Sequence, residues 1–182
     1  MKVARLAENV TVPETGVVPC ASVNVAAVIV AGSIASLNDG MLSPLPPGGS
    51  EHPDSFVYDP DRPVPTLGGN TLGIPGGVYD QRRADAHCLT FTSEPLDKEL
   101  EVTGPVRAVL YALSSASDTD WVVRLEDVHP DGYSRNLCDG ILRARYRNSF
   151  ARPELQDPGK VYRFEVDLWA TSNVYLPGHC LR

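Results

Sequence analysis

The sequence predicts an all-β protein, a jelly-roll-like β-sandwich built from short strands. Several runs alternate apolar with polar residues, turn-forming residues separate these runs, and no long stretch has the period of a helix. The 16 prolines and 15 glycines make up about 17% of the 182 residues, above the usual ~12%. This excess favours turns and short strands over long helices. Apolar residues form 42% of the chain, enough for a packed interior.

The first 31 residues carry the weakest pattern. The apolar run VNVAAVIVAGSIAS at 23–36 resembles the core of a secretory signal, but Glu8 and Glu14 precede it where such a signal is basic. Its β-branched residues favour a buried strand instead. No run reaches the roughly 18 apolar residues that a membrane-spanning helix needs. We therefore expect a cytoplasmic protein that does not bind a membrane.

Residues 40–77 are dense in proline and glycine. Proline lacks the amide donor that a sheet ladder requires, so a regular sheet is not expected in this part of the chain. The composition predicts a long ordered loop that runs over the protein surface.

Strand patterns dominate from residue 88 onward. Strands are predicted at 88–93, 106–114, 120–128 and 161–168, and the second of them is apolar on both faces, which is typical of a central strand. A helix of one or two turns is expected near residues 151–159, where prolines limit its length.

Alternation within these strands predicts which side chains face the core. The residues expected inside are Trp121, Val123, Leu125, Phe164, Val166, Leu168 and Trp169. Arg124 and Glu126 fall on the opposite face of their strand and are expected to point outward.

Residues 126–147 read as two strands joined by a Pro-Asp-Gly turn, and the second strand would place Arg143, Arg145 and Arg147 on one face. Such a face could bind nucleic acid, form ion pairs with a partner, or lie exposed to solvent. The net charge of −7 and the lack of neighbouring lysines and exposed aromatics argue against nucleic acid. An ion-paired outer or docking face is therefore favoured.

The residues alone reveal no catalytic group. Residues 132–136 come nearest to the nucleophile motif G-x-S-x-G, but they lack its closing glycine and lie in a hairpin, so Ser134 is interpreted as a polar turn residue. The acidic residues of segment 54–61 do not have the spacing of a calcium-binding loop.

No pattern of metal ligands or paired thiols is evident either. The four histidines, at positions 52, 87, 129 and 179, stand apart and are interpreted as loop residues. The four cysteines, at positions 20, 88, 138 and 180, have no C-x-x-C spacing, so reduced thiols are expected. The sequence thus predicts no metal and no cofactor.

Long runs of the sequence strongly resemble the C-terminal domain of the CocE/NonD hydrolases, the family of cocaine esterase, α-amino acid ester hydrolases and Xaa-Pro dipeptidyl-peptidases. The resemblance covers roughly residues 32–182. It is carried by SFVYDPDRPVPTLGG, YDQR, LTFTSEPLDKELEVTGPV, DTDWVVRLEDVHPDGYSRNLCDGILRARYR and PGKVYRFEVDLWATSNVYLPGH.

The resemblance implies a serine hydrolase with an α/β-hydrolase core, a helical cap and a C-terminal jelly roll, whose catalytic triad lies in the core. It divides this chain into a weakly matched segment at 1–31, a lead-in strand with the Pro/Gly-rich loop at 32–87, and the sandwich portion at 88–182. The implied role is an accessory domain that is inactive alone and partners an α/β-hydrolase domain. A free-standing binding module, such as a carbohydrate-binding sandwich, is the alternative.

Two further expectations follow from the resemblance. The Gly-rich loop at 67–79 approaches the acyl side of the substrate in the family, which makes Leu72 and Ile74 the candidate pocket residues. Family members continue beyond the PGH motif, whereas Cys180 stands here in place of an arginine and the chain ends at Arg182. We therefore expect a sandwich without its last strands that self-associates or is only marginally stable in isolation.

Overall fold

β-Strands account for most of the regular structure, and four of them have nine or more residues. The computed structural model describes residues 2–5, 28–30, 37–38, 40–45, 53–69 and 77–182. The strands in these ranges are β1 (Lys2–Arg5), β2 (Val28–Val30), β3 (Gly40–Ser43), β4 (Asp54–Phe56), β5 (Phe91–Thr92), β6 (Leu100–Ser114), β7 (Asp120–Val128), β8 (Ser134–Arg143), β9 (Tyr162–Tyr175) and β10 (Cys180–Leu181). A one-turn α-helix, α1, spans Arg82–Asp85, and a 3₁₀ turn spans Ala144–Tyr146.

The strands form three sheets. Their orders are β4-β1-β6-β9, β10-β7-β8 and β2-β3-β5, and all neighbours are antiparallel except β3 and β5. The long β6–β9 pair anchors the first sheet, and the β7–β8 hairpin anchors the second. The all-β sandwich predicted from the sequence is confirmed.

The core lies between the first two sheets. Phe164 and Val166 of β9 are fully buried and Leu168 is nearly so, as their alternation predicts. Trp121 of β7 meets them from the opposite sheet, with its ring centroid 5.5 Å from that of Phe164. A second cluster, formed around Val102, Tyr175 and Leu181, closes the end of the sandwich near β10.

The two sheets approach each other closely at Gly140 of β8. A Cβ atom on this residue would lie 2.0 Å from the carbonyl oxygen of Asp167 in β9, well inside van der Waals contact. Only glycine permits this separation between the backbones of the two strands.

Several predicted elements differ from those observed. The structure has no helix at residues 151–159, which form turns and irregular backbone, and the α-helix lies at α1 instead. The segment 40–77 includes strands β3 and β4, because strands of three or four residues fit before Pro44 and between Pro53 and Pro60. Only Phe91–Thr92 of the run 88–93 is strand. Within the run 23–36, where a buried strand is expected, β2 is a strand, and the rest of that run lies outside the described residues.

The prediction that Trp169 lies in the core is wrong, because its side chain is 76% exposed. The pairing of β6 with β9 shifts between Pro105 and Arg107, so that two residues of β9 oppose Val106. Trp169 adopts a φ of 68° at this bulge, which interrupts the alternation and turns its side chain outward.

Cys88, Cys138 and Cys180 are free thiols, as expected, and Cys20 lies outside the described residues. Burial, aided by the negative charge of Asp139, raises the pKa of Cys138 to about 11. Within the described ranges, no helix is long and apolar enough to cross a membrane.

Candidate functional site

The β7–β8 hairpin carries most of the residues singled out by the sequence. Its turn is closed by two backbone hydrogen bonds, from His129 N–H to Tyr133 O at 2.8 Å and from Gly132 N–H to His129 O at 2.9 Å. Gly132 has a φ of +83°, which explains the glycine of the Pro-Asp-Gly sequence. The predicted hairpin is confirmed.

The three arginines do not share one face of a strand. β8 ends at Arg143, and the following residues turn into the 3₁₀ segment, so the predicted alternation of Arg145 and Arg147 is wrong. The strand ends there because Asp118 accepts hydrogen bonds from both the backbone N–H and the Nε of Arg145, which draws the chain out of the ladder.

Each of the three guanidinium groups has a partner within the chain. Arg143 Nε donates to Asp120 Oδ1 at 2.8 Å across the hairpin. The side chain of Arg147 is only 7% exposed; it donates to the Glu154 carbonyl at 2.6 Å and lies 4.4 Å from the ring centroid of Tyr162. The three positive charges are thus paired with groups of the same chain. A partner that binds here through acidic groups must compete with these intramolecular ion pairs. A docking role for the three arginines stays a prediction.

Arg124 and Glu126 lie on one face of β7, as predicted, but this end of the face is covered rather than exposed. Arg124 Nη1 donates to Gln81 Oε1 at 2.9 Å, and Arg124 Nη2 lies 3.1 Å from Asp85 Oδ1. Gln81, Asp85 and Glu126 are each no more than 5% exposed. The segment that carries α1 therefore packs onto the outer face of β7 through a buried polar network.

The network is centred on two cations and two carboxylates. Arg182 Nη1 donates to Asp85 Oδ2 at 2.9 Å, and Ser134 Oγ donates to Glu126 Oε2 at 2.7 Å. Arg124 Nε lies 3.2 Å from Glu126 Oε1 without the alignment of a hydrogen bond. Burial raises the pKa of Glu126, whereas the charge of Arg124 and the Ser134 hydroxyl oppose that rise.

Gln81 also fixes the base of the Gly-rich loop. Its Nε2 donates to Leu67 O at 2.9 Å and to Tyr79 O at 3.0 Å, one on each side of the loop. Gly69 N–H donates to Gly77 O at 3.4 Å and closes the base. The predicted pocket residues, at positions 72 and 74, fall in the intervening segment and lie outside the described residues.

Ser134 has no access to a substrate. The residue is fully buried and its hydroxyl is engaged by Glu126, so it holds the polar network together instead of presenting a nucleophile. The interpretation of Ser134 as a polar turn residue is therefore corrected, because it is the first residue of β8 and lies in the interior.

The other end of the same sheet face is apolar and exposed. Val122 of β7 pairs directly with Ile141 of β8, and the two side chains are 63% and 64% exposed. The Asp120–Arg143 ion pair borders them. We call Val122, Ile141, Asp120 and Arg143 the outer hairpin face.

Two of the four histidines are not isolated, which corrects the sequence-based interpretation. His129 follows β7 and His179 precedes β10, and antiparallel pairing of these strands brings both beside Asp127. His129 and His179 are 50 positions apart in the sequence, so no local sequence pattern could indicate that they are neighbours. Among the described residues, these three form the group whose side chains could together ligate a metal ion.

The chain matches known proteins over most of its length. The family model described as the X-Pro dipeptidyl-peptidase C-terminal non-catalytic domain matches residues 21–182. Cocaine esterase of Rhodococcus sp. is 47% identical over 137 residues, which are 72% of this chain and 24% of that protein. An aminopeptidase from a marine sediment Thaumarchaeota archaeon superposes with a TM-score of 0.69 at 34% identity, over 78% of this chain and 26% of that one. The chain thus spans about a quarter of the length of these relatives.

Proposed function

The chain belongs to the family of X-Pro dipeptidyl-peptidase C-terminal non-catalytic domains, and on that premise we propose that it supports a serine hydrolase of the CocE/NonD type. The full-length enzyme would cleave esters, amides or Xaa-Pro peptides, and an α/β-hydrolase domain in the same polypeptide would supply the nucleophile. One observation carries this proposal: a non-catalytic family match extends over residues 21–182, while the segment matched in the relatives is only about a quarter of their length.

The outer hairpin face is the proposed contact with the catalytic domain. Val122 and Ile141 form an apolar cross-strand pair in water, and an ion pair at their border supplies a polar rim. An apolar centre with a polar rim is the usual composition of a protein interface. In the absence of a catalytic domain, we expect the same face to mediate weak self-association of the isolated chain.

Activity measurements test the accessory role. The isolated chain should hydrolyse p-nitrophenyl esters no faster than buffer. Added to cocaine esterase from which the matched segment has been removed, it should prolong the half-life of esterase activity on warming. Hydrolysis by the purified chain alone that disappears in Ser134→Ala would contradict the proposal.

Paired substitutions test the contact face. Val122→Glu and Ile141→Glu should abolish the gain in half-life and the self-association seen by analytical ultracentrifugation. Val161→Glu is the matched control, because Val161 is also exposed (53%) but lies outside this face. An equal effect of all three substitutions would exclude the outer hairpin face as the contact.

A free-standing binding module is the second candidate, and the exposed Trp169 favours it. A single indole on a strained bulge is the type of platform on which a sugar ring stacks. Titration with soluble oligosaccharides should then change tryptophan fluorescence in the native chain and not in Trp169→Phe. Location in the cytoplasm and the absence of nucleic-acid binding are proposed on the sequence alone.

A further inference from the structure

A carboxylate and two imidazoles meet where the hairpin turn contacts the C-terminal strand. Asp127, His129 and His179 each place one potential ligand atom so that all three atoms lie within 4.8 Å of one another. The first two residues belong to the end of β7 and its turn, and the third belongs to the turn before β10. None of the three takes part in the contacts of the outer hairpin face.

The backbone holds both histidines firmly. His129 opens the Pro-Asp-Gly turn, and both its N–H and its carbonyl are hydrogen-bonded across that turn. His179 follows Gly178, which has a φ of +83°, and its N–H donates to Leu176 O at 3.0 Å while its carbonyl accepts from Leu96 N–H at 2.9 Å. Rigid ligands lose little conformational entropy when they bind an ion.

The side chains of Asp127 and His179 are largely shielded from solvent, and that of His129 is partly exposed. Asp127 is 3% exposed and His179 8%, and Asp127 Oδ1 lies 2.7 Å from His179 Nδ1. The His129 ring packs 4.4 Å from the His179 ring, centroid to centroid, and contacts Tyr133 edge-on. In the part of the chain that the structure describes, the nitrogens of the His129 ring have no hydrogen-bond partner, which leaves one free for a ligand.

We propose that Asp127, His129 and His179 bind a divalent transition-metal ion of the zinc type. Two imidazoles with one carboxylate are a ligand set that zinc favours, whereas calcium and magnesium require oxygen ligands. Water fills the fourth position. The ion joins the β7–β8 turn to strand β10, so binding stabilises the C-terminal end of the sandwich.

Two of the three ligand atoms are already close to the spacing of a bound state, and the third lies within 4.8 Å of both. Zinc–ligand distances of about 2.0–2.1 Å in a tetrahedron place neighbouring ligand atoms about 3.3 Å apart. The Asp127–His179 separation of 2.7 Å therefore opens by only about 0.6 Å on binding, which small side-chain rotations provide. The proton of their hydrogen bond leaves to solvent as both groups bond to the ion.

Titrations of the 182-residue chain with Zn²⁺ and Co²⁺ test the site. Calorimetry should give one Zn²⁺ per chain, and Co²⁺ should produce visible absorption bands of a tetrahedral ion that Zn²⁺ bleaches. The Tm should rise with Zn²⁺ concentration and return to its starting value with EDTA. His129→Ala should weaken Zn²⁺ binding by more than about tenfold, since even an indirect partner of a zinc ligand is worth about 10- to 100-fold.

Matched variants separate this site from binding elsewhere. His87→Ala removes an exposed histidine outside the cluster and Cys180→Ser removes the neighbouring thiol; both should keep the affinity of the native chain. Unchanged affinity in His129→Ala, or no stoichiometric binding by the native chain, would overturn the proposal. Should His129→Ala fail to fold, imidazole ¹⁵N spectra of the native chain provide the test. Equimolar Zn²⁺ should shift the resonances of His129 and His179. Shifts of other histidine resonances instead, or no shifts at all, would exclude the site.

Discussion

Arg124 Nη1 donates a 2.9 Å hydrogen bond to Gln81 Oε1, which links the hairpin sheet to the base of the Gly-rich loop. Gln81 Nε2 continues the connection to the two sides of the loop. The guanidinium of Arg124 also lies beside the carboxylates of Asp85 and Glu126. Arg124 thereby links a loop to the sheet and shares with Arg182 the balancing of two buried negative charges.

Arg124→Ala should destabilise the chain by about 3–5 kcal/mol, because it leaves buried carboxylates without this cation. Urea denaturation followed by circular dichroism measures the change. Arg143→Ala is the matched control from the same hairpin: its ion pair with Asp120 is half-exposed and should contribute at most about 1 kcal/mol. Equal losses in the two variants would show that the network around Arg124 is no stronger than a surface pair.

The sequence predicted well those features that depend on local periodicity. The alternation of Phe164, Val166 and Leu168 located the core face of β9, and Pro-Asp-Gly located the hairpin turn. Each of these two patterns is contained in fewer than ten consecutive residues. The first follows from the two-residue spacing of a strand, and the second from the backbone geometry of a single turn.

The errors have two physical origins. A β-bulge interrupts the two-residue alternation of side chains along a strand, as it does at Trp169. The residue types on either side of Trp169 do not indicate that a bulge lies there. Contacts between distant segments are also invisible locally: Arg124 meets Asp85 across 39 positions, and His179 meets Asp127 across 52. A polar residue that looks solvent-facing on its own strand is therefore buried when another segment supplies its partner.

Phe164→Ala should cost about 3–5 kcal/mol of unfolding free energy, because the fully buried ring leaves a cavity against Trp121. Chemical denaturation gives this value directly. Val161→Ala, one residue before the same strand and 53% exposed, should change stability by about 0.5 kcal/mol or less. A loss below about 1 kcal/mol for Phe164→Ala would mean that this face of β9 is not packed in solution.

Gly140→Ala should also destabilise the sandwich, by about 1–3 kcal/mol or more, although it adds only one methyl group. The new Cβ would meet the backbone of Asp167 at 2.0 Å, so β8 and β9 must separate. Thermal unfolding compares this variant with Asp139→Ala, an exposed neighbour that makes no such approach. A Tm equal to that of the native chain would show that the two sheets lie farther apart.

The pH dependence of stability should reveal the carboxylate that begins the α1 segment. Asp80 accepts hydrogen bonds from the Arg82 side chain and from the N–H groups of Arg82 and Ser134. Its partners, above all the Arg82 side chain, lower the pKa of Asp80 from 3.8 to about 2. Since the folded state binds this proton less readily than the unfolded state, the stabilisation is complete above about pH 4 and declines as the pH falls towards 2.

Asp80→Asn should therefore be less stable than the native chain at pH 6, and the difference between them should shrink between pH 4 and pH 2. Asparagine keeps an oxygen for the two N–H groups but cannot pair with the Arg82 guanidinium, so the comparison isolates the charge. Asp97→Asn, at an exposed carboxylate, serves as the control at each pH. Urea titrations from pH 2 to pH 6 give the free energies. A stability difference that stays constant over this range would mean that the Asp80–Arg82 pair does not form in solution.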